Sequence, residues 1–373
     1  MLFLYLLIHS LGLVKAAKHQ LFTSTYGTPF IYTVEFDDEA NTLKLLANTS
    51  VPAASQWLVL SHDKKNLYGT STTDKRTEFL SYAVTSPTSI KYKTTTVAGT
   101  CAARTIHVDA LQVPPYTVYG VPWYGADNNC GGVMAVDDQG VIVKSVQNYT
   151  YSPGSALHGL AFHPEGTFMY SADLKGKKLW THAIDRATGK LTLVTSDKSH
   201  GEPRHVSVHP KGKYAYAMLE DTNEVSVYSI DSTTGAAKYT GKSHSVLSSK
   251  DKTAHRAATV RLSASGNMLY ATTRGSRTPG AKGSVSAFTL KADGSIASQD
   301  FIIPTTTGGG GANQVAPTIF DDNYFAIIDS GTGFIEMWKR NKDGAGAAVI
   351  AHLDLADSTR PGNGCCSNAV WYS

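Results

Sequence analysis

The chain has 373 residues, 42% of them hydrophobic and 17% charged, which is enough apolar material to bury a large core. A balance of 34 Lys and Arg against 30 Asp and Glu gives a formal charge of +4. No basic run or aromatic-basic interleaving tracks a phosphate backbone, so nucleic acid is not expected as a partner.

Residues 2–14, LFLYLLIHSLGLV, form an apolar stretch followed by KAAKH, whose small residues suit a signal peptidase after Ala16 or Ala17. The stretch reads as a secretory signal over residues 1–17, with 18–373 as one mature domain. It lacks the positively charged start of such signals, and a buried first strand in a cytoplasmic protein is the alternative. With His9 at its centre it is too short for a good membrane span. In an exported chain Asn48 (NTS) and Asn148 (NYT) are N-glycosylation acceptors. Of the four cysteines, an oxidising compartment favours pairing Cys101 with Cys130, because the adjacent Cys365 and Cys366 would close a strained ring. With no CxxC pair and scattered histidines, no zinc site is expected.

Internal repeats dominate the rest. LHGLAFHPEGTFMYSADL at 157–174 returns as PRHVSVHPKGKYAYAMLED at 203–221, aligning His163 with His209, Gly166 with Gly212 and Tyr170 with Tyr216. Weaker copies centre on His62, His107, Gly266 and Asp321, making six units. Each alternates short Val-, Tyr-, Thr- and Phe-rich runs with Gly- and Pro-bearing turns, the pattern of strands. Four strands per unit make a propeller blade. The chain ends supply a seventh: SNAVWYS at 367–373 resembles only the first strand of a unit, and residues 20–49 only the other three. The expected architecture is an all-β, seven-bladed β-propeller whose ring is closed by a blade shared between the N- and C-terminal strands, which also hides sheet edges.

In such a blade the first strand lines the central channel. His158 precedes His163 by five residues and Arg204 precedes His209 by five, so both open an innermost strand. Glu220 follows Tyr216 by four and Arg274 follows Tyr270 by four, so both end a second strand. These four residues are expected to meet at one mouth of the channel, where ion pairing alone is the plainer alternative to a site. His163 and His209 keep their place beside proline and read as turn and packing residues, the recurrent tyrosines as core, and Asp173 as a strand-end turn residue. GGGGAN at 308–313 leads into a strand with no helix behind it and reads as a turn, so no nucleotide cofactor is expected.

The stretches LHGLAFHPEGTFMYSADLKGKKLWTH, GEPRHVSVHPKGKYAYAMLED and NAVWY, with VQNYTY and PPYTVYGVPWY, resemble the lactonase-type seven-bladed propellers, and among them the eukaryotic 3-carboxy-cis,cis-muconate cyclases, from about residue 20 to the end. The resemblance implies a cofactor-free cycloisomerase acting on a small anionic polycarboxylate. It matches His158 to the family's active-site histidine, Arg204 and Arg274 to its two arginines, and Glu220 to its glutamate. His158 is then the general acid, Glu220 orients it or shares the proton transfer, and the arginines anchor the substrate. The chain departs from the family where AGTCAAR (98–104) and GGGGANQ (308–314) lack a usual histidine. A sugar lactonase of the 6-phosphogluconolactonase kind, which opens a lactone with water, and a secreted non-catalytic binding propeller are the alternatives.

Overall fold

The computed structural model describes residues 17–71, 76–99, 101, 103–123, 130–248, 252–275, 279–355 and 365–373. Apart from Ala17, the expected signal segment lies outside them.

Seven four-stranded antiparallel sheets form the blades. Blade 1 joins Cys365–Trp371 to Lys18–Thr25, Phe30–Asp37 and Thr42–Ser50. Blades 2 to 7 follow in chain order, their inner strands being Leu58–Leu60, Thr105–Ala110, Leu157–Phe162, Pro203–Val208, Arg256–Leu262 and Asn313–Pro317. Blade 1 is the shared one: Leu21 pairs with Trp371 and Phe22 with Val370, so the last strand of the chain is the innermost strand of the first blade. Outer strands mix exposed and half-buried positions, as in Thr42–Ser50, whereas second and third strands are almost wholly buried.

The core is divided. Seven apolar clusters lie one between each pair of adjacent blades, for example Leu157, Met169 and Trp180 of blade 4 against Ile106, Tyr119 and Val121 of blade 3. Since a single blade cannot cover both of its faces, neighbours supply the burial, at about 1.5–3 kcal/mol for each fully buried large side chain.

The recurrent tyrosines are core residues with a further task. Tyr68, Tyr119 and Tyr170 each donate a hydrogen bond from Oη to a turn carbonyl of the next blade, at Gly140 (2.7 Å), Gly189 (2.7 Å) and Gly235 (2.9 Å). Tyr216 does the same to Gly294, and Tyr270 to Asp322 at 2.6 Å. The repeated residue therefore fastens one blade to the next.

His163 and His209 sit in the turns at the far end of the inner strands, as expected. Their Nδ1 atoms accept the N–H of Glu165 and Lys211, and each ring packs on the following blade. Gly212 has φ +67°, and a Cβ there would lie 2.2 Å from His163 Nε2, so both the turn and the packing require glycine. His107 differs from the expectation. Leu111 occupies the turn position in blade 3, and His107 lies on the inner strand facing the channel, because the repeat there is displaced by four residues.

Candidate active site at the channel mouth

A local irregularity in the inner strands builds the site. In blade 4 Leu157 pairs with Asp173 and Gly159 with Ala172, leaving His158 unpaired; in blade 5 the ladder skips Arg204 in the same way, and in blade 3 it skips Ile106. Blade 6 has a wider break between Ala257 and Val260. A bulge re-aims the extra side chain, here toward the channel mouth. His158, Arg204, Glu220 and Arg274 are all buried, from 4% to 8% exposed, and come from three consecutive blades.

The charged members form one cluster. Glu220 Oε2 lies 2.9 Å from Arg204 Nε and 2.9 Å from Arg274 Nη2, while Oε1 accepts a hydrogen bond from Arg256 Nη1 at 2.6 Å. The Arg204 Nε–H is not aimed at that oxygen, so this contact is electrostatic rather than a formed hydrogen bond. Backbone carbonyls hold the guanidiniums in place: Arg204 Nη1 donates to Ala258 O (2.7 Å), and Arg274 donates to Gly311 O (3.0 Å) and Ala257 O (3.0 Å). Burial and the neighbouring Arg274 push the Arg204 pKa down to about 10, which leaves it charged at neutral pH. Burial raises the Glu220 carboxyl, but Arg274, Arg204 and Arg256 outweigh this and hold it below its ordinary value. Three guanidiniums share one carboxylate, and the excess charge is positive.

His158 stands edge-on to Trp123 and to His205, each with ring centres 4.9 Å apart. Its Nδ1 has no hydrogen-bond partner among the described residues. Burial, then Arg204 and Arg274, depress its pKa well below 6.5, so the imidazole is neutral in the unliganded site. Trp57, His107 and His205 pack together beside it, with Trp57 4.2 Å from His107 and 5.0 Å from His205 between ring centres.

Between these groups lies a cavity of about 20 Å³ lined by His158, Arg204, Tyr26, Gln56, Trp57 and Gln314, among others. Larger cavities lie elsewhere. One of about 520 Å³ on the opposite face is lined by His62, Tyr116, Asp63 and Asp137. Both of these aspartates cap turn N–H groups, of Lys65 and of Gln139 and Val141, so its volume does not mark a reaction centre.

Of the two roles expected of Glu220, orienting the imidazole is not the one its contacts show. Both of its oxygens face arginines, and none of its contacts is with His158; the carboxylate organises the guanidiniums instead of orienting the imidazole. Asp173 is the strand-end turn residue anticipated, accepting from the Ala156 and Gly176 N–H groups and Trp180 Nε1. The glycine run is a turn as expected: Gly310 has φ +61° and a Cβ on it would lie 2.5 Å from Gly331, and the next carbonyl anchors Arg274.

Arg256 escaped the sequence reading because it lies two places ahead of the residue that the five-before rule selects. Its signal was pairing, for Arg256 faces Arg274 across the hairpin. Tyr26 and Trp123 were within reach, since each follows by four the residue in the tyrosine position, Phe22 or Tyr119. Cys101 pairs with Cys130 as expected, and the sulfurs of Cys365 and Cys366 also lie against each other, a pairing that ring strain was expected to disfavour. Asn48 and Asn148 both lie on outer strands, Asn48 exposed and Asn148 half-buried, with Asn148 Oδ1 accepting from Ser145 Oγ and its Nδ2 set against Gly99.

Comparison with known proteins follows the same line. The family described as "Lactonase, 7-bladed beta-propeller" matches residues 20–315. The carboxy-cis,cis-muconate cyclase of Neurospora crassa is 34% identical over 376 residues, covering 95% of this chain and 99% of that protein. Muconate cycloisomerase 1 of Cutaneotrichosporon cutaneum is 26% identical, covering 92% of this chain and 96% of its own. Among solved structures, the periplasmic gluconolactonase of Pseudomonas aeruginosa superposes with a TM-score of 0.74 at 16% identity, over 96% of this chain and 99% of that one, a likeness of fold.

Proposed function

Because the chain belongs to the lactonase family of seven-bladed β-propellers, we propose that it is a cycloisomerase that closes a lactone ring on 3-carboxy-cis,cis-muconate or a related polycarboxylate. The observation that carries this reading is the arginine cluster: the buried Arg204 and Arg274, with the partly exposed Arg256, around one buried carboxylate, beside a neutral imidazole. A structural ion pair would balance its charges, since unpaired buried charge is costly. An excess of arginine calls for an anionic ligand, and guanidinium is suited to carboxylates because it remains ionised and presents its donors in a fixed fork.

In the reaction one substrate carboxylate attacks the carbon–carbon double bond. A carbon–oxygen bond forms, the π pair moves toward the neighbouring carboxylate, and a proton is added to the carbon between them. Arg204 and Arg274 hold the carboxylates and stabilise the developing negative charge. His158 supplies the proton. Burial and the two arginines keep it unprotonated in the unliganded site, and a polyanion among them reverses that Coulombic bias, so the imidazole gains its proton as the substrate binds. In the reverse direction the neutral ring is the base. Glu220, held ionised, positions the arginines. Admitting a tricarboxylate to a cavity of about 20 Å³ requires side chains at the mouth to shift as the substrate enters.

The balance of the reaction provides the test. Cyclisation of a tricarboxylate to a lactone dicarboxylate takes up a proton, whereas hydrolysis of a sugar lactone releases one. Purified protein in weakly buffered 3-carboxy-cis,cis-muconate should raise the pH as the ultraviolet absorbance of the conjugated diene disappears. Acid release from a sugar lactone without turnover of the diene would overturn this reading. Export is part of the proposal, supported by the apolar N-terminus and the juxtaposed Cys101 and Cys130 sulfurs; N-terminal sequencing of the mature protein tests it.

A further inference from the structure

We propose that Tyr26 is a further catalytic residue of this site, its hydroxyl donating a hydrogen bond to the substrate carboxylate on which charge accumulates during ring closure; this rests on the cyclisation reading above. Tyr26 ends the second strand of blade 1, four residues after Phe22. That is the position occupied by Glu220 in blade 5 and Arg274 in blade 6. It reaches the mouth from the opposite side of the ring to His158 and lines the same cavity as His158 and Arg204.

The hydroxyls around that cavity differ in one respect. Ser367 donates to the carbonyl of Gln56, and Thr259 Oγ1 lies 3.1 Å from Thr272 Oγ1 while accepting the N–H of Val315. The tyrosines four positions earlier in blades 2 to 6 all donate to a carbonyl of the neighbouring blade. The Tyr26 hydroxyl has no hydrogen-bond partner among the described residues, although the ring is only half-exposed. It lies 3.7 Å from the place a Cβ on Gly311 would take, beside the peptide whose carbonyl anchors Arg274, and close enough to Arg204 to act on its charge. A donor with no task of its own thus stands near Arg204 and beside the peptide that anchors Arg274.

During cyclisation the carbon–oxygen bond forms as the π bond breaks, and the electron pair passes into the adjacent carboxylate, where the arginines and the phenol meet it. The proton added to carbon comes from His158 and ultimately from solution. Tyr26 keeps its own proton throughout and contributes a hydrogen bond that strengthens as charge builds, which makes its effect one on kcat rather than on substrate affinity.

The experiment is Tyr26→Phe, which preserves the ring and removes only the hydroxyl. With 3-carboxy-cis,cis-muconate, kcat should fall by about 10²-fold with KM nearly unchanged. The calorimetric affinity for tricarballylate, a saturated tricarboxylate that cannot cyclise, should stay at the wild-type value, as should the thermal midpoint. A Phe variant with wild-type kcat overturns the assignment. So does a variant that loses rate together with thermal midpoint, because that marks a packing role. Wild-type protein that leaves the diene intact overturns the cyclisation reading itself, a result distinct from an active wild type and an equally active variant.

Discussion

At one end of the inner strands His163 and His209 stand beside prolines and accept backbone N–H groups from Glu165 and Lys211. At the other end of the same strands, five residues earlier, equivalent positions hold His158 and Arg204, one a neutral imidazole and the other a guanidinium beside Glu220. The first end is uniform because every blade needs the same turn and the same packing against its neighbour. The second end is irregular because its ladders skip a residue and aim whatever is there at a shared axis. Chemistry is concentrated where the repeat is broken, and stability where it is kept.

The largest effect should come from His158→Ala, with a loss of about 10²- to 10⁴-fold in kcat and little change in thermal midpoint. His209→Ala should show the reverse, full turnover with reduced stability. Equal kinetic losses in the two variants would break the comparison between the ends.

Glu220→Gln should act on both properties at once. It leaves three guanidiniums without their anion, and a loss of about 3–5 kcal/mol is expected in urea denaturation. Added sulfate should recover part of it. A variant as stable as wild type would mean that the arginines are balanced in another way.

Acid should weaken the fold through its buried imidazoles, at the channel and within blade 4. His107, His158 and His205 have pKa values well below 6.5 through burial first and then nearby arginines, and burial alone takes His182 down to about 4. The folded imidazoles bind protons less readily than those of the unfolded chain. Unfolding therefore takes up protons below pH 6.5, and stability falls as the pH falls. Each such residue contributes up to about 1.4 kcal/mol per pH unit. His205→Gln should flatten the slope of the thermal midpoint between pH 6.5 and 5. The Glu220 carboxyl, held below its ordinary 4.5 despite burial, adds stability that is lost only at lower pH, as it protonates.

The smallest effect belongs to the repeated contacts between blades. Tyr170→Phe removes the bond to the Gly235 carbonyl in the next blade. About 1 kcal/mol is expected from equilibrium unfolding, with kcat unaltered.

Much of this was legible in the chain. The His-Pro and Tyr spacings located four strands per blade and placed His158, Arg204, Glu220 and Arg274 at a common mouth. The same four-residue rule applied to Phe22 would have reached Tyr26. His107 was misplaced because its blade carries Leu111 where others carry histidine, serine or threonine. Arg256 had no repeat position to announce it, and Glu220 was assigned to the imidazole because spacing along a strand does not reveal which neighbour a carboxylate faces.

The sequence by itself determined the periodic part of this protein: alternation fixes which face of each strand is buried, turn residues fix where strands end, and the unmatched halves at the two termini require a shared blade. Only the tertiary structure decided the charge arithmetic of the mouth, the skipped residues that point inward, and the partners of Glu220. Those depend on where three separate blades bring their ends in space, and Coulomb energy follows distance across the ring rather than order along the chain.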